Sequence, residues 1–212
     1  MKKEKILILV SFIAAIVFFI GLAIDNQTIR IFAKPIPVFI LAVLLIGKKE
    51  YKKFIFFGFV FSFLGDIFLE LPYDLFIFGL GSFLIGHIFY IVAFTKRSQK
   101  KEFLALTILL LIGMVIFIIL YKNLGEMKIS VAAYMLVILI MVWRAWCQKS
   151  VDKLAIWGFI GAVLFLISDA NIAFNKFCCH YAAADWVIMI LYWAGQYLIY
   201  YSTRDMNLLA KE

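Results

Sequence analysis

Residues 103–121 read Phe103-Leu-Ala-Leu-Thr-Ile-Leu-Leu-Leu-Ile-Gly-Met-Val-Ile-Phe-Ile-Ile-Leu-Tyr121, a run without a charged side chain. A helix rises about 1.5 Å per residue, so this stretch is as long as a hydrocarbon core is thick. A short polar connection, Tyr121-Lys-Asn-Leu-Gly-Glu126, leads straight into a second such run. Working outward in both directions, the chain divides into eight apolar segments: 6–24, 29–47, 54–71, 75–95, 103–121, 128–146, 154–174 and 185–203. Of the 212 residues 66% are hydrophobic, where a soluble domain holds roughly 45–50%. The fold expected is therefore an all-α integral membrane protein with eight transmembrane helices in a single membrane domain over residues 1–212.

The net charge of +8 invites a nucleic-acid reading, but the basic residues are distributed by side rather than clustered on one surface. If the N-terminus lies inside, Lys2, Lys3, Lys5, Lys48, Lys49, Lys52, Lys53, Lys96, Arg97, Lys100, Lys101, Arg144, Lys149, Lys153, Arg204 and Lys211 fall on the cytoplasmic side. Only Arg30, Lys34, Lys122, Lys128 and Lys176 fall opposite, leaving 5 of the 21 outside. That bias predicts both termini in the cytoplasm of a multi-pass protein of the cell membrane, and no nucleic-acid partner. The first segment is read as a retained helix, since no small-residue cleavage site follows its long apolar run. Cys147 faces the cytoplasm, and Cys178 and Cys179 sit beside His180 in the last outer loop; their spacing matches no zinc motif.

Ionisable groups at mid-membrane are costly, about 2.5–3.5 kcal/mol on insertion scales, so each one inside a segment is a candidate for function. The second segment carries Lys34-Pro-Ile-Pro37, with the prolines expected in its first turn. The third reads Phe61-Ser-Phe-Leu-Gly-Asp66-Ile-Phe-Leu-Glu70, where Ser62 and Asp66 share a helix face. The fourth carries Gly86-His87-Ile-Phe-Tyr90, the seventh Ser168-Asp169-Ala-Asn171, and the eighth Tyr192-Trp-Ala-Gly-Gln196. Lys34, Asp66 and Asp169 lie roughly 8–9 Å inside the outer ends of their helices, Tyr192 slightly deeper, and His87 and Gln196 near the midplane. Segments one to four and five to eight each place an aspartate in their third helix and a glycine-polar pair in their fourth. This suggests a 4+4 parallel pseudo-repeat that pairs Asp66 with Asp169.

Together, Lys34-Pro35, Ser62-x-x-Gly65-Asp66, Gly86-His87-x-x-Tyr90, Ser168-Asp169 and Tyr192-x-x-x-Gln196 resemble the YhhN family, whose animal members are lysoplasmalogenases. The resemblance covers nearly the whole chain and implies an eight-helix membrane protein. It implies hydrolysis of the vinyl ether bond of a lysoplasmalogen, a lysophospholipid drawn from the bilayer, to a fatty aldehyde and a glycerophospho-alcohol. It also implies that no metal or organic cofactor is required, and that the family's two aspartates correspond to Asp66 and Asp169. The outer loops and Cys178-Cys179-His180 match no pattern of that family.

Vinyl ethers hydrolyse by protonation of the alkene carbon distal to oxygen, giving an oxocarbenium ion that water captures. Two carboxyls in one apolar site do not readily both ionise, so one keeps its proton to serve as acid while the other stays anionic. Asp66 and Asp169 would divide those roles, as paired carboxyls do in glycoside hydrolysis. Lys34 would meet a head-group phosphodiester, while His87, Tyr192 and Gln196 would hydrogen-bond the acids or water; Ser62, Tyr90, Ser168 and Asn171 are supporting candidates. The plainer alternative makes these residues polar glue between helices, with Lys34 reaching to the interface. Glu70, Asp74 and Asp185 read as solvated loop or helix-end residues. A small-solute or proton-coupled transporter using the same carboxylates is the second functional class, and a metal held by Asp66, His87 and Asp169 the third.

Overall fold

A computed structural model describes residues 2–204, so Lys211 and the rest of the C-terminus lie outside the described residues. Nine α-helices occur among the described residues: α1 (Lys2–Ala23), α2 (Gln27–Ala33), α3 (Ile36–Leu44), α4 (Lys52–Glu70), α5 (Phe76–Arg97), α6 (Phe103–Leu120), α7 (Lys128–Gln148), α8 (Ala155–Phe177) and α9 (Ala184–Tyr201). Two 3₁₀ turns, Tyr121–Asn123 and Gly125–Met127, join α6 to α7. The predicted segments agree with these helices to within about a turn, with one correction. The segment expected at 29–47 begins earlier and is broken into α2 and α3. The prolines therefore sit not in its first turn but in its middle, where Pro35 and Pro37 lack the amides that Ile31 and Ala33 would need to continue the ladder. The backbone stays right-handed through Lys34 and Pro35, so the break is local.

Among the described residues six helical stretches are long and apolar enough to cross a membrane: Lys3–Ala23, Gln27–Leu44, Phe76–Arg97, Phe103–Asn123, Gly125–Gln148 and Ala155–Phe177. The other two predicted segments form α4 and α9, helices of 19 and 18 residues. Both are more polar: α4 carries Lys52, Lys53, Asp66 and Glu70, and α9 is rich in Tyr and Trp. On α6 the side chains of Leu111, Val115, Ile118 and Ile119 are all more than half exposed, the surface a helix presents to lipid.

The helices group into two compact units that divide between Ala93 and Phe94, within α5. In the first unit α1 packs on α2 and α3, and α3 packs on α4. Glycines let α5 approach α4: a methyl on Gly86 would lie 3.1 Å from the Gly58 carbonyl oxygen, and one on Gly58 would lie 2.0 Å from the Tyr90 ring. In the second unit α8 packs most extensively on α9, with α7 and α6 layered against α8. The α8–α9 crossing brings backbone against backbone, since a methyl on Gly161 would meet the Gly195 carbonyl oxygen at 2.6 Å and one on Gly195 would meet that of Gly161 at 2.8 Å.

Two arginines lock one end of the second unit. Arg144, counted with the cytoplasmic charges in the sequence, is 4% exposed; it donates to Thr95 Oγ1 at 2.9 Å, to the Lys100 carbonyl at 2.7 Å and to the Ser98 carbonyl. These acceptors lie in the last turn of α5 and just past it, so a guanidinium supplies donors the helix end lacks. Arg97 donates to Asp152 Oδ2 at 2.7 Å and to the Ser202 carbonyl at 3.0 Å, tying the α7–α8 loop to the end of α9. Asp152 Oδ1 accepts from the amides of Leu154 and Ala155 at 2.8 and 2.9 Å, which starts α8. Burial alone would raise the Asp152 carboxyl, but the hydrogen bond and charge of Arg97, with those amides, outweigh it and hold the group below its usual value.

Two outcomes follow for stability in detergent. Gly161→Ala and Gly195→Ala each cost about 1–3 kcal/mol through overpacking. The control Gly81→Ala, where a methyl meets open space, leaves the melting temperature unchanged or raised. Because the folded Asp152 is the stronger acid, its contribution is complete above the ordinary carboxylate range and is lost as pH falls through its lowered value. Asp152→Asn should accordingly flatten the acid limb of stability measured below about pH 4.

Candidate functional site

In the first unit the buried face of α4 is Ile55, Gly58, Phe59, Ser62, Gly65 and Asp66, a stripe at helical spacing in which two glycines and two polar residues replace bulk. Ser62 and Asp66 are each 1% exposed, as their shared face predicted. From α5, Phe83 lies over Gly65, Gly86 faces Ser62, and Tyr90 lies over Gly58. His87 and Tyr90 are fully buried, with ring centroids 6.5 Å apart.

Lys34 does not reach for solvent. Its Nζ lies 2.9 Å from Glu70 Oε2, and Arg30 Nε lies 3.0 Å from Glu70 Oε1. This corrects the reading of Glu70 as a solvated loop residue: it ends α4, its side chain is 12% exposed, and it draws in two cations from α2 and the α2–α3 break. Glu70 stands one turn beyond Asp66, so the α2–α3 break delivers positive charge just outside the buried carboxyl.

In the second unit the Ser168-Asp169 pair is divided between two neighbours, as the roughly 100° step between adjacent helical residues requires. Ser168 Oγ donates to the Ile188 carbonyl of α9 at 2.9 Å. Asp169 turns to α7, where Tyr134 donates its phenol O–H to Oδ2. Tyr134 was not among the sequence candidates; a lone phenol in the middle of an apolar segment was the signal for it. Tyr192 is buried edge-on to Phe165, at 5.2 Å between centroids, and Gln196 is fully buried beside Gly195. Asn171 faces elsewhere, donating to the Ile167 carbonyl at 2.7 Å and accepting from the Tyr181 hydroxyl at 2.7 Å, so it holds the loop after α8.

Asp169 and Tyr134 form part of the wall of a cavity between α6, α7 and α8. Every other residue lining it is Ile, Val, Leu, Met, Ala or Gly. Among the described residues no group of three His, Cys, Asp or Glu is placed to hold a metal ion.

The whole pattern, from the α2–α3 break to the end of α9, falls in the stretch matched by the YhhN family, residues 29–203. The chain belongs to the YhhN family. Similar members include the lysoplasmalogenase TMEM86A of Bos taurus, 35% identical over 68% of this chain and 62% of its own, and the lysoplasmalogenase TMEM86B of Homo sapiens, 35% identical over 65% of this chain and 58% of its own. A membrane protein named YhhN from Escherichia coli O157:H7 is 27% identical over 65% of this chain. The match thus spans about three fifths of the length of the two lysoplasmalogenases. No solved structure matches the chain.

The ion-pair geometry in this YhhN protein separates two acidic residues that both contact Arg30. Glu70 is largely buried, whereas Asp25, 3.4 Å from Arg30 Nη1, has a side chain 94% exposed. Glu70→Gln should lower thermal stability by roughly 1–3 kcal/mol, because the buried Lys34 loses its carboxylate partner and Arg30 keeps only the exposed Asp25. Asp25→Asn should leave the melting temperature in detergent unchanged.

Proposed function

We propose that this YhhN protein is an intramembrane hydrolase that cleaves the vinyl ether bond of lysoplasmalogen-type lysophospholipids. The observation that carries the reading is a carboxylate, Asp169, held by a phenol on the wall of an otherwise apolar cavity, in a family whose similar members are named lysoplasmalogenase. Those names weigh for hydrolysis over transport.

In the reaction, one of Asp66 and Asp169 gives a proton to the alkene carbon distal to the ether oxygen, whose π electrons form the new C–H bond. The oxocarbenium ion left behind is stabilised by the other, anionic carboxylate, which also takes a proton from the attacking water. The hemiacetal then gives its O–H proton to the first carboxylate as its C–O bond breaks, and the second carboxyl protonates the departing oxygen, which releases a fatty aldehyde and a glycerophospho-alcohol and restores both groups. Water is the only co-reactant.

Lys34, with Arg30 beside it, meets the phosphodiester of the lysolipid by exchanging part of the Glu70 interaction for the ligand. Ser62, His87, Tyr90, Ser168, Tyr192 and Gln196 shape and support the acids, and Asn171 supports them indirectly through the loop after α8. The chain acts as one membrane domain of eight crossings in the cell membrane, with α4 and α9 completing the six more apolar spans and both termini inside. Support for a 4+4 parallel pseudo-repeat comes from the glycines. Gly58 stands eight residues before Asp66, as Gly161 stands eight before Asp169. Each of these glycines meets a glycine one helix later, Gly86 and Gly195, directly before His87 and Gln196.

Purified protein incubated with a lysoplasmalogen should release fatty aldehyde, and Asp66→Asn and Asp169→Asn should each cut the rate by about 100-fold or more. A chelator should leave the rate unchanged. Aldehyde release by either variant at the wild-type rate would remove that aspartate from the chemistry.

A further inference from the structure

The cavity between α6, α7 and α8 has the composition of a hydrocarbon site with one polar point. Gly113 and Ile116 come from α6, Ile138 and Leu139 from α7, and Ala170 and Ala173 from α8. The small residues keep it open: Ala170 and Ala173 stand three apart on the face of α8 that also carries Asp169, so any larger side chain there would project into the space. Ile112, one of its lining residues, is 48% exposed on a helix whose outer face is apolar. Tyr134 and Asp169 interrupt this lining, and the Tyr134 hydrogen bond fixes one carboxylate oxygen at the wall.

We propose that this cavity is the subsite for the hydrocarbon chain of the single-chain lipid, seating its ether-proximal carbons against Asp169, and that Ala170 and Ala173 set how much chain it admits. The proposal rests on the hydrolase reading for the identity of the reacting bond, but seating a chain does not require that the bond be broken. An apolar chain matches the Ile, Leu, Val and Ala walls, and the bond to be protonated is the one polar feature next to it, which matches the single polar point. A bilayer lipid at a featureless helix groove would find no such point.

The test uses a lipid that cannot be hydrolysed: saturated 1-O-alkyl lysophosphoethanolamine with decyl, tetradecyl or hexadecyl chains, titrated into wild-type protein in nanodiscs. Affinity should rise with chain length in the wild type. Ala170→Leu and Ala173→Phe should weaken hexadecyl binding about tenfold or more and flatten the length dependence. Val115→Phe, on the outer face of α6, should bind as the wild type does. A second measurement needs no variant: a hexadecyl probe with a diazirine near the ether end should label the cavity-lining stretches of α6, α7 and α8. Unchanged length dependence in both cavity variants, or labelling confined to outward faces such as Val115 and Ile118, overturns the subsite. Cavity-dependent binding without aldehyde release from a lysoplasmalogen would instead overturn the hydrolase reading and leave the subsite standing.

Discussion

Helices in hydrocarbon gain little by burying apolar side chains against one another, because lipid tails are equally apolar. What holds α8 to α9 is therefore the close approach of backbone to backbone that Gly161 and Gly195 permit. That contact brings the carbonyl of Ile188 within reach of Ser168, and it sets Tyr192 edge-on to Phe165. The opposite side of α8 is then left to α6 and α7, where Asp169 meets Tyr134 and the cavity forms. The arrangement around the carboxylate depends on a crossing where side chains are absent.

Polar side chains at helix ends and between helices differ in what they satisfy. Arg144, Arg97 and Ser168 bond to main-chain carbonyls at helix ends or on a neighbouring helix; Arg97 also bridges to Asp152. Asp169 is different, since it takes a side-chain donor at the edge of an open space. Ser168, by contrast, spends its hydroxyl on a main-chain carbonyl of α9. The same distinction separates Asn171, committed to Tyr181 and to its own helix, from the aspartate two residues before it.

The α2–α3 break serves a related end by another route. Two prolines remove amides in the middle of an apolar segment, and the interruption places Lys34 against the last residue of α4. Arg30, one turn earlier, joins it on the same carboxylate. The cluster is thus a charged layer one turn beyond Asp66, in which Lys34 and Arg30 share Glu70 and Arg30 also meets the exposed Asp25.

Hydropathy alone determined that this chain is a bundle of membrane helices and where nearly all of them run, because the length of an apolar run and the spacing of its charges are local quantities. It also marked Asp66, Asp169, His87 and Gln196 as anomalies, since any polar group inside an apolar run is visible without knowing its neighbours. Partnership was not visible. That Tyr134 bonds Asp169, that Glu70 is a half-buried anchor rather than a loop residue, and that Arg144 bonds the carbonyls at the end of α5 were all decided by the tertiary structure. Each depends on which face of one helix meets which face of another. A pattern read along one helix carries the period of its faces but not the identity of what they meet.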